Sequence, residues 1–100
     1  MLKIGWFSTG RGEGSRALLQ LIHKNIVTGS LPASIEFIFC NRDPGETEGG
    51  DQFHSLVHSC NLPLVTLSSE RFRRRKKMHR FAEVREEFDH EVLKKLNQYS

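Results

Sequence analysis

Long apolar runs and cysteines are both scarce in this sequence of 100 residues. The longest apolar stretch, residues 35–40, is interrupted by Glu36 and is far shorter than the roughly 20 residues of a membrane-spanning helix. The two cysteines, Cys40 and Cys60, are too few for the disulfide framework of a small secreted domain. No signal peptide precedes the strand-like start at residues 2–7. We therefore expect a cytoplasmic protein with no membrane partner.

Positive charge is concentrated near the end of the chain. Residues 1–70 carry five Lys or Arg against seven Asp or Glu, whereas residues 71–100 carry ten against five. The net charge of +3 is therefore local rather than a property of the whole domain. Most of the excess belongs to a basic run made of Arg71, Arg73, Arg74, Arg75, Lys76, Lys77 and Arg80.

The first third of the chain has the pattern of a strand, a glycine-rich turn and a helix. Residues 2–7 are mostly apolar and predict a buried strand. Three glycines follow in residues 8–15, and a helical spacing begins after them. We expect Ser15 to cap this helix and Gly29 to end it. Its apolar face is predicted to contain Leu18, Leu21, Ile22 and Ile26.

The same pattern repeats twice more. Residues 35–40 predict a second strand, residues 41–50 a polar loop, and residues from about Asp51 a short helix that Pro63 closes. Residues 64–67 predict a third strand, and a solvated basic insertion at about 68–84 precedes a long last helix. The stripe of that helix comprises Phe81, Val84, Phe88, Val92, Leu96 and Tyr99. This β-α-β-α-β-α order predicts an α/β fold with a three-layer, Rossmann-like parallel sheet.

The predicted sheet has an exposed edge. In the common doubly wound order the first strand lies between the second and the fourth, and this sequence shows no fourth strand. We therefore expect residues 1–100 to be the N-terminal half of a longer domain. In isolation the chain is expected to self-associate through the edge of strand 2–7, because an apolar edge invites pairing.

The glycine-rich turn is the first candidate site. Glycines allow backbone N–H groups to approach an anion, and the positive end of a helix dipole attracts a phosphate. The spacing Gly10-x-Gly12-x-Gly14 is neither the dinucleotide fingerprint nor a nucleotide P-loop. The motif therefore indicates phosphate without identifying its carrier, and a merely flexible turn is the alternative.

The other polar groups favour simpler interpretations. The basic run could bind nucleic acid, but only Phe72 and Phe81 accompany it, so a solvated insertion is favoured. His54 and His58 have helical spacing, yet no Glu follows His54, so a surface pair is favoured over a metal site. Cys40 is predicted to be buried. The acidic residues of the second loop (Asp43, Glu46, Glu48 and Asp51) predict a polar loop, and no catalytic residue is assigned.

Four motifs in order resemble the glycinamide ribonucleotide formyltransferases of purine biosynthesis. Gly14-Ser15-Arg16 is similar to that family's phosphate loop, usually Gly-Ser-Asn, and Phe39-Cys40-Asn41 is similar to the end of its second strand. Residues 61–64 (NLPL) resemble the entry to its third strand. The most specific motif is residues 85–93 (REEFDHEVL), which resembles the start of the family's long helix.

The resemblance implies a formyl transfer from 10-formyltetrahydrofolate to the amine of a phosphoribosyl substrate. It implies that Gly12, Gly14, Ser15 and Arg16 hold the substrate phosphate and that Arg85 contacts the folate. The family's catalytic Asn-x-His and its later Asp have no counterpart in these residues, so we expect a transferase segment that is inactive by itself.

The sequence departs from the family's pattern in two places, and two alternative functions stay open. Arg16 replaces the family's usual Asn, and the basic segment is about ten residues longer than the usual spacing. The first alternative is a non-catalytic phosphate- or nucleotide-binding module. The second is nucleic-acid binding through the basic run.

Overall fold

The structure, a computed structural model, describes residues 1–76 and 84–99 of the chain. Its elements, in chain order, are β1 (Leu2–Ser8), α1 (Glu13–Val27), β2 (Ala33–Cys40), α2 (Glu48–Ser59), β3 (Leu64–Thr66), α3 (Ser69–Arg75), α4 (Arg85–Leu96) and a 3-10 turn (Asn97–Tyr99). Phe81, Lys77 and Arg80, which belong to the predicted last helix and the basic run, lie outside the described residues.

The three strands form one parallel sheet in the order β1-β2-β3, as predicted. Parallel strands need a crossover, and α1 and α2 supply the two crossovers. The β1–β2 register shifts between Ile4 and Gly5, where β2 contains one extra residue, Glu36. Among the described residues, β1 pairs only with β2. Its exposed side chains Leu2 and Phe7 therefore correct the prediction that this strand is buried.

Helices cover both faces of the sheet, which confirms the three-layer architecture. Successive side chains of β2 point to opposite faces, and Ile38 and Phe39 accordingly belong to two different apolar clusters. The α1–α2 cluster contains Leu19, Ile35, Ile38, Cys40, Phe53 and Val57. The α3–α4 cluster contains Phe39, Val65, Phe72, Val84, Phe88, Val92 and Leu96.

Helix α1 begins earlier and faces the sheet differently than predicted. Its N-cap is Gly12 rather than Ser15, and Gly29 (φ 86°) follows its last turn as expected of a terminating glycine. Leu18 and Leu21 are 52% and 56% exposed, so their assignment to the core is wrong. Leu19 is the buried residue instead. The spacing of apolar residues predicts that α1 has an apolar stripe, but the position of the neighbouring sheet decides which side of the helix is buried.

Helix α2 also begins before its predicted start. The side chain of Thr47 accepts a hydrogen bond from the Gly50 backbone N–H, and this cap sets the first turn at Glu48. The helix ends at Ser59 rather than at Pro63, because Asn61 adopts a left-handed conformation (φ 56°). Phe53 and Val57 of this helix are fully buried.

The basic segment contains a packed helix, which corrects its interpretation as a solvated insertion. Ser68 caps α3 by accepting from the Arg71 backbone N–H. Phe72 is only 2% exposed and meets Phe88 edge-on, with ring centroids 5.4 Å apart. Helix α3 therefore turns its single aromatic ring to the core and leaves Arg71, Arg74 and Arg75 exposed to solvent.

Helix α4 confirms the predicted stripe where the structure describes it. Val84, Phe88, Val92 and Leu96 are buried, and Tyr99 packs partly against them. None of the helices formed by residues 1–76 and 84–99 is long and apolar enough to cross a bilayer.

We predict that Phe72→Ala destabilises the fold by about 3 kcal/mol, because the substitution removes a fully buried ring from the α3–α4 cluster. Leu93→Ala is the matched control, since Leu93 lies on α4 and is 67% exposed. Urea unfolding followed by circular dichroism measures both variants. Equal midpoints for Phe72→Ala and the wild type would contradict the packing of α3.

We also predict that the isolated chain associates reversibly through the edge of β1. Leu2, on that strand, is 62% exposed, so Leu2→Lys is expected to lower the associated fraction by placing a charge at the edge. Leu93→Lys, which adds the same charge to α4, is expected to leave association unchanged. Sedimentation velocity at several concentrations tests this prediction, and a wild type that stays monomeric throughout refutes it.

Candidate functional site

A cavity of about 440 Å³ lies at the carboxyl end of the sheet, which is where open parallel α/β sheets bind ligands. We call it the sheet-edge cavity. The ends of β1 and β2 form one side of it, and the first turns of α3 and α4 form the other. Its lining residues are Phe7, Ser8, Thr9, Phe39, Asn41, Ser69, Arg85, Phe88, Asp89 and Val92.

Asn41 organises the polar side of the sheet-edge cavity. Its backbone N–H donates to the Ser8 carbonyl oxygen over 3.3 Å, and its Nδ2 donates to Ser69 Oγ over 3.4 Å. The Ser69 backbone N–H in turn donates to the Asn41 carbonyl oxygen over 3.2 Å. Among the described residues, the buried Asn41 Oδ1 has no hydrogen-bond partner. Asn41 therefore ties β1 to α3 and leaves one acceptor unsatisfied, which is rare in a folded protein.

Arg85 lies at the rim of the same cavity. It is the first residue of α4, and its Nε is 3.9 Å from Asp89 Oδ2, a loose and exposed ion pair. The guanidinium carries five N–H donors, so most of them stay available to a ligand. Aromatic rings form the opposite wall, where Phe7 and Phe39 have centroids 5.7 Å apart. The cavity therefore offers a cation and an apolar wall to one ligand.

The predicted phosphate residues lie at the start of α1. Gly12 is the N-cap, no side chain caps the first turn, and the Ser15 backbone N–H donates to the Gly12 carbonyl oxygen over 3.1 Å. A Cβ added at Gly12 or at Gly14 would meet no atom within 4 Å, so the space in front of this turn is open. Arg16 is half-buried on the first turn. This arrangement suits an anion, because the positive end of a helix dipole is accessible there.

The two predicted regions are not lined by the same residues. Ser8 and Thr9, which precede the glycine-rich turn, reach the sheet-edge cavity beside Arg85, whereas Gly12, Gly14, Ser15 and Arg16 are not among its lining residues. Helix α2 lies directly against the turn, because a Cβ at Gly49 would lie 2.5 Å from the Arg11 carbonyl oxygen. Glycine at position 49 thus permits the close approach of α2 to the turn.

A second cavity, of about 460 Å³, lies between α3 and the segment that joins β2 to α2. We call it the arginine groove. Each arginine in it has an acidic partner. Arg42 Nη1 is 3.6 Å from Glu46 Oε2, and Arg74 Nε is 3.2 Å from Glu70 Oε1. Arg71 Nη1 is 3.6 Å from Asp43 Oδ2. The groove is lined by Arg42, Gly45, Glu46, Thr47, Glu70, Arg71 and Arg74.

The carboxyl of Glu70 interacts with two arginines of α3. The hydrogen bond from the Arg73 side chain is the main reason that the pKa of Glu70 is lowered, and Arg74 adds to the effect. The carboxylate therefore stays charged near neutral pH and holds the arginines of α3 in place.

A larger depression, of about 580 Å³, surrounds the first turn of α2, but acidic side chains line it. Glu46, Glu48 and Asp51 make it unsuited to the anionic ligands that the sequence indicates. Glu48 and Asp51 belong to α2 rather than to the predicted polar loop.

The histidine pair is not the surface pair that the spacing predicts. His54 is only 5% exposed, and neither of its ring nitrogens has a hydrogen-bond partner among the described residues, whereas His58 is exposed. Within residues 1–76 and 84–99, no three His, Cys, Asp or Glu side chains are grouped as a metal site requires.

Sequence reasoning assigned no site role to Ser69 and Asp89, nor to three other polar residues of the sheet-edge cavity, Ser8, Thr9 and Asn41. All three stand at or just after the carboxyl end of a strand. The signal that could have identified them is a polar residue directly after a parallel strand, because such positions converge at one edge of the sheet.

No family model, curated protein or solved structure matches this chain. Its function is therefore inferred from the two cavities, the glycine-rich turn and the sequence motifs.

We predict that Cys40 reacts with thiol reagents far more slowly than Cys60. Cys40 is buried as expected, its Sγ lies 3.7 Å from the Thr9 carbonyl oxygen, and burial raises the pKa of its thiol. A raised pKa lowers the thiolate fraction at neutral pH, and the thiolate is the reactive form. Cys60 is half-exposed. Labelling with Ellman's reagent at pH 8 should modify one thiol in the native protein and both in urea; rapid native labelling of both would contradict the burial.

Proposed function

We propose that these residues form the ligand-binding segment of a folate-dependent formyltransferase that acts on a phosphoribosyl amine in purine biosynthesis. The observation that carries the proposal is the sheet-edge cavity, since it places Arg85 beside the ends of β1 and β2. This is the edge of the sheet at which the fold class binds its ligands. Arg85 also opens the motif on which the resemblance to formyltransferases most depends.

The composition of the cavity supports binding of 10-formyltetrahydrofolate. The pterin and benzoyl rings of a folate are flat, and the lining rings of Phe7, Phe39 and Phe88 offer aromatic contacts to flat groups. The carboxylates of a folate suit the always-charged guanidinium of Arg85. The folate supplies the formyl carbon that the substrate amine attacks, through a tetrahedral intermediate.

The start of α1 supports binding of the substrate phosphate. The open space beside Gly12 and Gly14 admits an anion, and no side chain caps the first turn of α1. Arg16, on the same turn, adds a charge that the family's usual Asn does not have. The proposed reaction needs a proton acceptor for the attacking amine. The residues assigned here bind and orient the ligands, and none of them is assigned as that proton acceptor.

A non-catalytic phosphate- or nucleotide-binding module is the second candidate function. The glycine-rich turn favours it, because that turn suits a phosphate with or without a folate nearby. Nucleic-acid binding has less support. Phe72, within the basic run, is buried and cannot stack on a base.

We predict that Arg85→Gln weakens binding of tetrahydrofolate about tenfold, because one charge-assisted hydrogen bond is lost. The same substitution should leave binding of ribose 5-phosphate unchanged. Arg16→Gln should do the reverse. Lys24→Gln, an exposed substitution at the other end of α1, is the charge-matched control for both. Calorimetric titration of each ligand into each variant separates these effects.

Three results decide between the candidates. Binding of both ligands with the expected variant effects supports the formyltransferase proposal. Binding of ribose 5-phosphate alone supports the non-catalytic module. Absence of binding for both ligands contradicts the two together.

A further inference from the structure

A further cavity, of about 550 Å³, lies beside the first half of β1, on the side of the sheet that carries the α3–α4 cluster. We call it the bulge cavity. Residues of β1, of β2 and of the 3-10 turn line it, and none of them lines the sheet-edge cavity or the arginine groove. Its volume falls within the range of small-molecule sites, roughly 300–1,000 Å³. The bulge cavity is therefore a separate place for a small ligand.

The irregularity in β2 places two consecutive side chains in the bulge cavity. In a regular strand, neighbouring side chains point to opposite faces of the sheet. Here Glu36 and Phe37 both line the cavity, at the point where the β1–β2 register shifts. Ile35 and Ile38, on either side of this pair, both belong to the α1–α2 cluster on the opposite face. The extra residue therefore puts a carboxylate beside an aromatic ring, and bulges commonly redirect side chains in this way at functional sites.

Gly5 allows the ring of Phe37 to lie directly on β1. A Cβ at position 5 would be 2.6 Å from Phe37 Cζ, so any larger residue requires the ring to move. On its other side, the ring of Phe37 packs against Tyr99, with ring centroids 5.3 Å apart and planes tilted by 37°. Both rings line the bulge cavity. They give it an aromatic wall, which suits contact with another ring.

The polar side of the bulge cavity carries one charge of each sign. Lys3 is exposed and Glu36 is half-buried. Among residues 1–76 and 84–99, neither side chain forms an ion pair, and the Glu36 carboxylate accepts only a weak hydrogen bond, over 3.4 Å, from Ser34 Oγ. Since the two charges cancel, the cavity gives little net attraction to a phosphate or to another simple anion. It instead complements a ligand that carries both a cation and an anion.

The strand register brings the two charges within reach of one small molecule. Lys3 is the register partner of Ser34, so Glu36 lies two positions further along the neighbouring strand. Such diagonal positions are typically about 7 Å apart, a distance that long side chains can span. A group that contains an ammonium and a carboxylate on the same carbon can therefore contact both side chains at once.

We propose that the bulge cavity binds a free α-amino acid with an aromatic side chain. The Glu36 carboxylate accepts hydrogen bonds from the ligand's ammonium group, and Lys3 Nζ donates to the ligand's carboxylate. Hydrogen bonds between charged groups are stronger than those between neutral groups. The ligand's ring packs against Phe37 and Tyr99. The inference does not depend on the proposed function, because the bulge cavity shares no lining residue with the sites assigned above.

The first test is calorimetric titration of the wild-type chain with L-phenylalanine and with three analogues that each lack one group. 3-Phenylpropionate lacks the ammonium and L-alanine lacks the ring, and we expect each to bind about tenfold more weakly than L-phenylalanine. 2-Phenylethylamine lacks the carboxylate, and we expect about threefold weaker binding because the ion pair with the exposed Lys3 is screened by water.

The second test pairs each charge-removing variant with the analogue that lacks the matching group. Glu36→Gln should weaken binding of L-phenylalanine about tenfold without weakening that of 3-phenylpropionate. Lys3→Gln should weaken binding of L-phenylalanine about threefold and leave that of 2-phenylethylamine unchanged. Glu86→Gln and Lys24→Gln remove the same charges at exposed positions outside the cavity and should change neither. A variant that fails to fold loses all ligands together, and the wild-type comparison then decides.

Four results overturn the inference. The first is absence of L-phenylalanine binding to the wild type at millimolar concentration. The second is equal affinity for L-phenylalanine and L-alanine, which removes the aromatic contact. The third is equal affinity for L-phenylalanine and both charge-deleted analogues, which removes the charged contacts. The fourth is tighter binding of guanosine than of L-phenylalanine, which indicates a site for an uncharged heterocycle. The proposed function is tested by other ligands, so its failure and that of this inference are distinguishable.

Discussion

The parallel pairing of β1 with β2 determines where the candidate ligand groups lie. Because both strands run in the same direction, their carboxyl ends meet at one edge, and Thr9 and Asn41 follow those ends. The backbone hydrogen bond from Asn41 to Ser8 closes this edge, and the side-chain bond to Ser69 extends it to α3. The sheet-edge cavity is therefore a consequence of strand direction rather than of any single loop.

The two apolar clusters lie on opposite faces of the sheet, and each lies beside a different candidate site. On the side of the α1–α2 cluster, α2 approaches the glycine-rich turn closely at Gly49 and the Arg11 carbonyl oxygen. The α3–α4 cluster holds Arg85 and the cationic side chains in position, through the buried ring of Phe72. The proposed phosphate site and the proposed folate site thus lie beside opposite halves of the core, and both halves include residues of β2 and β3.

Two arginines of α3, Arg73 and Arg74, pair with one carboxylate of the same helix. Glu70 is a shared acceptor for Arg73 and Arg74, and hydrogen bonding lowers the pKa of its carboxyl. Its constant negative charge orders the guanidinium groups without neutralising all of them.

The sequence by itself determined the order of strands and helices, the parallel sheet and the stripe of α4, because alternating apolar runs and glycine-rich turns are local signals. It also placed Arg85 and the glycine-rich turn as candidate ligand positions. Only the tertiary structure decided that Leu19 rather than Leu18 or Leu21 enters the core, that Phe72 makes the basic segment a helix, and that His54 is buried. The tertiary structure also decided that Asn41 lines the sheet-edge cavity. These facts depend on which elements become neighbours, and contacts between residues distant along the chain leave no periodicity within it.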